Sequence, residues 1–237
     1  MPSRASSEKL VTLQTSVRTE KIPSSRSAAA IASFSKDVYN LTLTVNGLAP
    51  PPGPWGKGPL RPGDVLLLSR PIGSGVLLAA AMVGAARPEW VDQVLHTMQQ
   101  SQAPLVGILA AHGCHACTDV TGFGLLGPLG EMLSPTTRAV LDPLAIPALP
   151  GALPLLARGH ASSLAPSNAT ALALLEPGGA VQLERPCDAE RLQLMIDPQT
   201  CGPLLAALPA ATADAALEEL QRTGFPQAAI IGTVQTR

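Results

Sequence analysis

The run Pro50-Pro51-Pro52-Gly53-Pro54 limits what this chain can fold into more than any other stretch. Its prolines fix φ, give up their backbone donors, and are excluded from helix interiors and from central strands. Residues 48–62 are therefore expected to form a semi-rigid link. That link divides the 237 residues into a short leading part and a trailing part long enough to bury a substantial core. Ahead of it, residues 41–45 (Leu-Thr-Leu-Thr-Val) alternate apolar and β-branched positions and run into Asn46-Gly47, which reads as a strand entering a turn. Residues 1–40 are read as a flexible N-terminal segment. Ser3, Ser6, Ser7, Ser24, Ser25, Ser27, Ser33 and Ser35 stand there with Arg4, Lys9, Arg18, Lys21, Arg26 and Lys36 against only Glu8 and Glu20 before residue 37. Such a bias suits an ill-ordered tail, and it also suits an organelle transit peptide.

Composition narrows the function classes. Aromatic residues make up 3% of the chain, so the core is expected from Leu, Ala, Val and Ile. Sixteen Lys and Arg face seventeen Asp and Glu, which leaves no basic patch for nucleic acid. The apolar runs at 76–81 and 105–111 are far shorter than the roughly 20 residues a membrane-spanning helix needs. A cytoplasmic protein with reduced thiols is the expectation for Cys114, Cys117, Cys187 and Cys201.

Past the link, strands and helices interleave. Residues 65–68, 116–120, 138–141, 192–196, 204–208 and 229–234 read as strands. Helices are expected from Ser74 to about 84 and over 89–101, 104–111, 125–133, 153–157, 169–175 and 212–222, with Ser167 or Asn168 capping the sixth of these and Gly224 ending the last. The pattern gives an α/β (α+β) class, a mixed sheet covered by helices.

The densest polar feature is Thr118-Asp119-Val120-Thr121-Gly122-Phe123-Gly124, set where a strand gives way to a helix. Backbone N–H groups there can face a ligand, glycines permit close approach, and a carboxylate can hold Mg²⁺ between phosphates. The alternative is local: Asp119 caps the helix, and Gly122 and Gly124 supply turn dihedrals. The spacing Cys114-His115-Ala116-Cys117, with His112 before it, can supply zinc ligands, or Cys117 is simply a packed thiol at a strand start.

The string 116–127 (Ala-Cys-Thr-Asp-Val-Thr-Gly-Phe-Gly-Leu-Leu-Gly) resembles the signature of selenide, water dikinases. Arg61-Pro62-Gly63-Asp64, Pro71-Ile72-Gly73-Ser74-Gly75, Leu149-Pro150-Gly151, Ser162-Ser163-Leu164 with Asn168, and Asp197-Pro198-Gln199-Thr200 follow in that family's order. The resemblance covers residues 41–233 and implies a domain like the C-terminal one shared with aminoimidazole ribonucleotide synthetases, here residues 63–237, with 41–62 as the last strand of an ATP-binding domain plus the connector. It implies Mg²⁺ and ATP as cofactors, Asp119 as a metal ligand, and Thr118, Thr121, Gly122 and Gly124 as a phosphate-facing loop. The implied reaction turns ATP, selenide and water into selenophosphate, AMP and phosphate.

Two residues depart from that pattern: Pro128 stands where the family has histidine, and Pro203 where it has glycine. Upstream of Asn46 there is no cysteine and only Asp37 as an aspartate, whereas the family's first domain carries a reactive cysteine and several metal-binding aspartates. The expectation is a C-terminal half that needs a separate or fused ATP-binding half, with no catalytic residue of its own. The alternative is a noncatalytic module that keeps the fold.

Overall fold

The computed structural model describes residues 54–237 throughout and, before them, the backbone of three strands. These are β1 (Lys9–Arg18), β2 (Ala30–Ser35) and β3 (Val38–Ala49), and both β1 and β2 pair antiparallel with β3. The expected turn at Asn46-Gly47 is absent, because Gly47 continues β3 opposite Val11 and Asn46 lies opposite Thr12. Two further strands also lie within 1–40, where Val11, Thr12, Thr15, Val17, Ile31 and Phe34 supply β-propensity that a reading of polarity alone passes over. The chain divides between Trp55 and Gly56 into two units.

The second unit is built on a six-stranded sheet. Its strands are β4 (Asp64–Leu68), β5 (Ala116–Asp119), β6 (Thr137–Leu141), β7 (Val181–Leu183), β8 (Leu204–Pro209) and β9 (Ala229–Thr236), in the order β5-β8-β4-β9-β6-β7. All neighbours are antiparallel except β6 and β7. Between them run α1 (Ser74–Met82), α2 (Pro88–Gln99), α3 (Ala103–Ala111), α4 (Leu126–Met132), α5 (Ala152–Leu156), α6 (Ala165–Asn168), a 3₁₀ helix (Ala169–Leu175), α7 (Ala189–Ile196) and α8 (Ala210–Arg222). The α+β class with a mixed, helix-covered sheet is thus observed.

The central strands of the sheet, β4 and β8, are buried on both faces. In β4 every residue is buried, and Leu66 and Leu68 join Leu205 and Ala207 of β8 in the main core with Val76, Leu126, Leu155 and Met195. Alternate residues Val65, Leu67, Ala206 and Leu208 point to the other face, where α8 packs on β4 and β8. Burial on both sides explains why β4 reads as an unbroken apolar run.

The expected strand at 192–196 is instead the end of α7. Asp188 caps that helix by accepting a hydrogen bond from the Arg191 N–H (2.9 Å), and the Leu192 and Asp197 N–H groups donate to the carbonyls of Asp188 (3.3 Å) and Gln193 (3.0 Å), in the helical spacing of four residues. Asn168 does not cap the 3₁₀ helix that follows it. Its Nδ2 donates to the Gly122 and Ile196 carbonyls, both at 2.9 Å.

Candidate functional site

Strand β5 ends at Asp119, and α4 begins only at Leu126, with Leu125 in the N-cap place and no side-chain cap. The local alternative for Asp119 therefore fails: it stands a full loop away from the helix it would cap. Its side chain is exposed, and Oδ2 accepts from Thr121 Oγ1 at 3.3 Å. The loop folds on Gly124, whose N–H donates to the Thr121 carbonyl (3.0 Å) at φ +65°. A Cβ on Gly124 would lie 2.7 Å from the Ile196 carbonyl carbon, so glycine is required by dihedral and by space together.

Thr121, Gly122 and Phe123 remain at the surface, and their N–H groups have no acceptor among the described residues. Thr118, by contrast, is buried with its hydroxyl turned to the Asp119 carbonyl, and the Gly124 N–H is spent on the turn. Of the expected phosphate-facing residues, Thr121 and Gly122 offer free groups, and Phe123 adds one that sequence reasoning missed. Successive free N–H groups beside a carboxylate are suited to oxyanions and to the cations that accompany them.

The 197–203 loop supports this turn from behind. The Gln199 N–H donates to the Thr121 carbonyl (2.9 Å), the Val120 N–H donates to the Pro203 carbonyl (2.8 Å), and a Cβ on Gly202 would overlap the Val120 carbonyl oxygen. Proline at 203 costs nothing here, since the position supplies an acceptor. The positive φ falls instead on Cys201, at 48°. Pro128 sits in the first turn of α4, where a missing N–H is tolerated.

Gln199 is buried, and its Oε1 accepts from the N–H groups of Gly73 (2.7 Å) and Ser74 (3.0 Å) and from Ser74 Oγ (3.2 Å). Ser74 Oγ in turn accepts from the Thr200 N–H at 2.8 Å. Asp197, fully buried, accepts from Ser162 N–H (2.9 Å) and Ser162 Oγ (3.0 Å). Burial raises its carboxyl above the ordinary value, against the lowering effect of the two Ser162 bonds. The buried Arg70 guanidinium donates to the Thr97 carbonyl (2.8 Å) and Gln100 carbonyl (3.2 Å) at the negative end of α2 and to the carbonyls of Cys201 and Gly202. Desolvation lowers its pKa, and the neighbouring Cys201 works the other way. The signal for this scaffold was already in the strings 71–75, 162–168 and 197–200, which the fold brings together behind one exposed loop.

The histidines near Cys114 and Cys117 are engaged elsewhere: His112 Nε2 lies 2.8 Å from Glu219, and His115 Nε2 lies 3.0 Å from both Asp64 oxygens. Among the described residues no group of three or more His, Cys, Asp or Glu is placed to hold a metal. The Cys114 thiol donates to the Ala116 carbonyl at 3.4 Å. Cys117 is pushed up by its neighbour Cys114 and by burial, and Cys114 is lowered by its neighbour Cys117 against the effect of burial. This is the packed-thiol arrangement.

The fold and its glycine loop define the molecule as an α+β domain built on a mixed, helix-covered sheet. Residues 61–237 match the AIR synthase related protein, C-terminal domain, and the chain belongs to that family. It is similar to curated proteins named selenide, water dikinase: 33% identical to that of Agathobacter rectalis over 82% of this chain and 56% of that protein, and 36% identical to that of Desulfitobacterium hafniense strain DCB-2 over 82% and 55%. The chain thus spans about half the length of the curated relatives it matches. In fold it is like a thiamine-monophosphate kinase from Stenotrophomonas maltophilia (TM-score 0.56, 18% identity, 83% of this chain and 55% of that one). It is also like a hydrogenase maturation protein HypE (TM-score 0.54, 20% identity, 85% and 53%).

Proposed function

We propose that this chain is the C-terminal half of a selenide, water dikinase and forms one wall of a phosphoryl-transfer site completed by an ATP-binding half on a separate or fused polypeptide. The observation that carries this reading is the exposed Asp119 beside three free backbone donors, held on a buried hydrogen-bonded scaffold, in a chain similar to selenide, water dikinases. Asp119 is the residue that would hold Mg²⁺. One exposed carboxylate fits an ion that is commonly bound through one or two carboxylates, with phosphates and water filling the remaining positions. When bound, Mg²⁺ neutralises charge on the phosphates of ATP. The Thr121, Gly122 and Phe123 N–H groups would bind and orient phosphate oxygens, and the rigid backing of Gln199 keeps them aligned without reorganisation.

The test is anaerobic AMP formation from ATP, selenide and water. The chain alone is expected to form none, and the chain with a family ATP-binding half is expected to form AMP. Asp119→Asn should then cut the Mg²⁺-dependent rate by at least about tenfold, the effect of losing one charge-assisted ligand, with the melting temperature unchanged. Turnover by the chain alone would overturn the half-site reading. Full activity of Asp119→Asn would remove Asp119 from the site, and an inactive complemented pair would leave a noncatalytic binding module.

A further inference from the structure

The sheet ends, on the side away from β5, at the short strand β7. The Ala180 carbonyl accepts from the Ala139 N–H (2.9 Å) and the Glu184 N–H donates to the Leu141 carbonyl (2.8 Å), so residues 180 and 184 face β6. Alternation along a parallel ladder then turns the N–H and carbonyl groups of Val181 and Leu183 away from the sheet. Among the described residues no hydrogen bond reaches them. The strand itself, Val-Gln-Leu, has neither the lysine nor the proline that commonly guards such an edge.

An open groove of about 480 Å³ lies along this edge, lined by Val181, Leu183, Glu176, Glu184 and Arg138 among others. Arg138 Nη1 donates to Gln182 Oε1 at 3.3 Å. Its Nε is buried with no acceptor, and none is found for Nη2 among the described residues. With Nε shielded from solvent, Nη2 is the donor left open to a carboxylate that enters the groove. The groove is not a general anion site. Glu176 and Glu184 also line it, and Arg185 is taken by Asp142 (3.2 Å) and Glu184 (3.7 Å). A polyanion would meet as much negative charge as positive. An extended peptide instead brings neutral main-chain partners to Val181 and Leu183 and a single carboxylate to Arg138, and so satisfies both sets of groups together.

We propose that the β7 edge receives an extended segment of a partner polypeptide, added as a seventh strand, with an aspartate or glutamate side chain seated on Arg138 Nη2. Main-chain pairing supplies binding and the arginine supplies selectivity for an acidic residue. The site lies at the opposite end of the sheet from Asp119, so it stands or falls apart from the proposed dikinase role.

The probe is a fluorescein-labelled peptide of alternating valine and threonine with one central glutamate, measured by anisotropy against the full chain, beside the same peptide carrying glutamine. The glutamate peptide is expected to bind about tenfold more tightly, as a charge-assisted pair allows. Arg138→Gln should abolish that preference, and Arg138→Lys should restore only part of it. Bound peptide should slow amide hydrogen exchange at Val181 and Leu183. No binding at about 1 mM peptide, equal binding of the two peptides, an unchanged preference in a folded Arg138→Gln chain, or unchanged exchange at β7 would each overturn the proposal. So would an Arg138-dependent dimer of the chain itself, which would make a second copy the occupant.

Discussion

Asp197 and Asp119 sit in the two most distinctive strings of the sequence, yet their surroundings ask opposite things of them. Asp119 is exposed, while Asp197 is fully buried against Ser162 with its carboxyl raised above the ordinary value of 3.8 by loss of water. A carboxyl whose folded-state pKa is raised binds its proton more tightly in the native state than in the unfolded chain. The stabilisation it gives is fully present below the unfolded pKa and is lost as pH rises through the folded one. Urea unfolding measured from about pH 4 to pH 7 should therefore show the native chain losing stability relative to Asp197→Asn, which cannot ionise. The asparagine can keep both Ser162 contacts, because its carbonyl accepts from the Ser162 N–H and its amide donates to the Ser162 hydroxyl, and any loss toward the Val76 N–H is the same at every pH and leaves the slope as the readout. Parallel pH profiles for the two proteins would show that Asp197 is not held against ionisation.

The β5–α4 connection shows how an element boundary can be made by packing from elsewhere in the chain. Gly124 is in the left-handed region and a Cβ there would lie 2.7 Å from the Ile196 carbonyl carbon of α7, while the Leu125 N–H donates to the Met195 carbonyl at 2.7 Å. Gly124→Ala must strain the dihedral and displace α7 backbone, so a loss of about 1–3 kcal/mol is expected from equilibrium unfolding; an unchanged midpoint would mean that the loop re-forms without the turn. The glycine itself was legible from its place in the motif, as were the run at β4 and the strands β8 and β9. What was not legible follows from long-range partners. Leu192, Leu194 and Ile196 alternate as in a strand, and it is the Asp188 cap, with the Leu192 N–H turned to the Asp188 carbonyl, that makes them a helix. Asn168 looks like a cap by position, yet its amide is drawn to Gly122 and Ile196, 46 and 28 residues away. Local pattern carries period and caps, but it does not say which carbonyl a buried amide will find.

At the scale of the molecule, the division between Trp55 and Gly56 makes a sharp expectation about what folds with what. Every member of the described main core lies between Leu60 and Val234, and the six-stranded ladder closes between Asp64 and Thr236. Gly56 is the first residue tied to it, its carbonyl accepting from the Cys117 N–H at 3.0 Å on the free edge of β5. The Asp119 loop and its scaffold, from Arg70 through Gln199 to Gly202, lie wholly inside that same unit. A chain cut to residues 56–237 should then unfold in a single transition at the midpoint of the full chain's principal transition, because the buried area that sets cooperativity is unchanged. It should also replace the full chain when AMP formation is assayed with a family ATP-binding half. A marked fall in midpoint would show that the leading strands are part of the same cooperative unit. An unchanged midpoint with lost complementation would instead give those strands a role in docking the ATP-binding half rather than in holding this fold together.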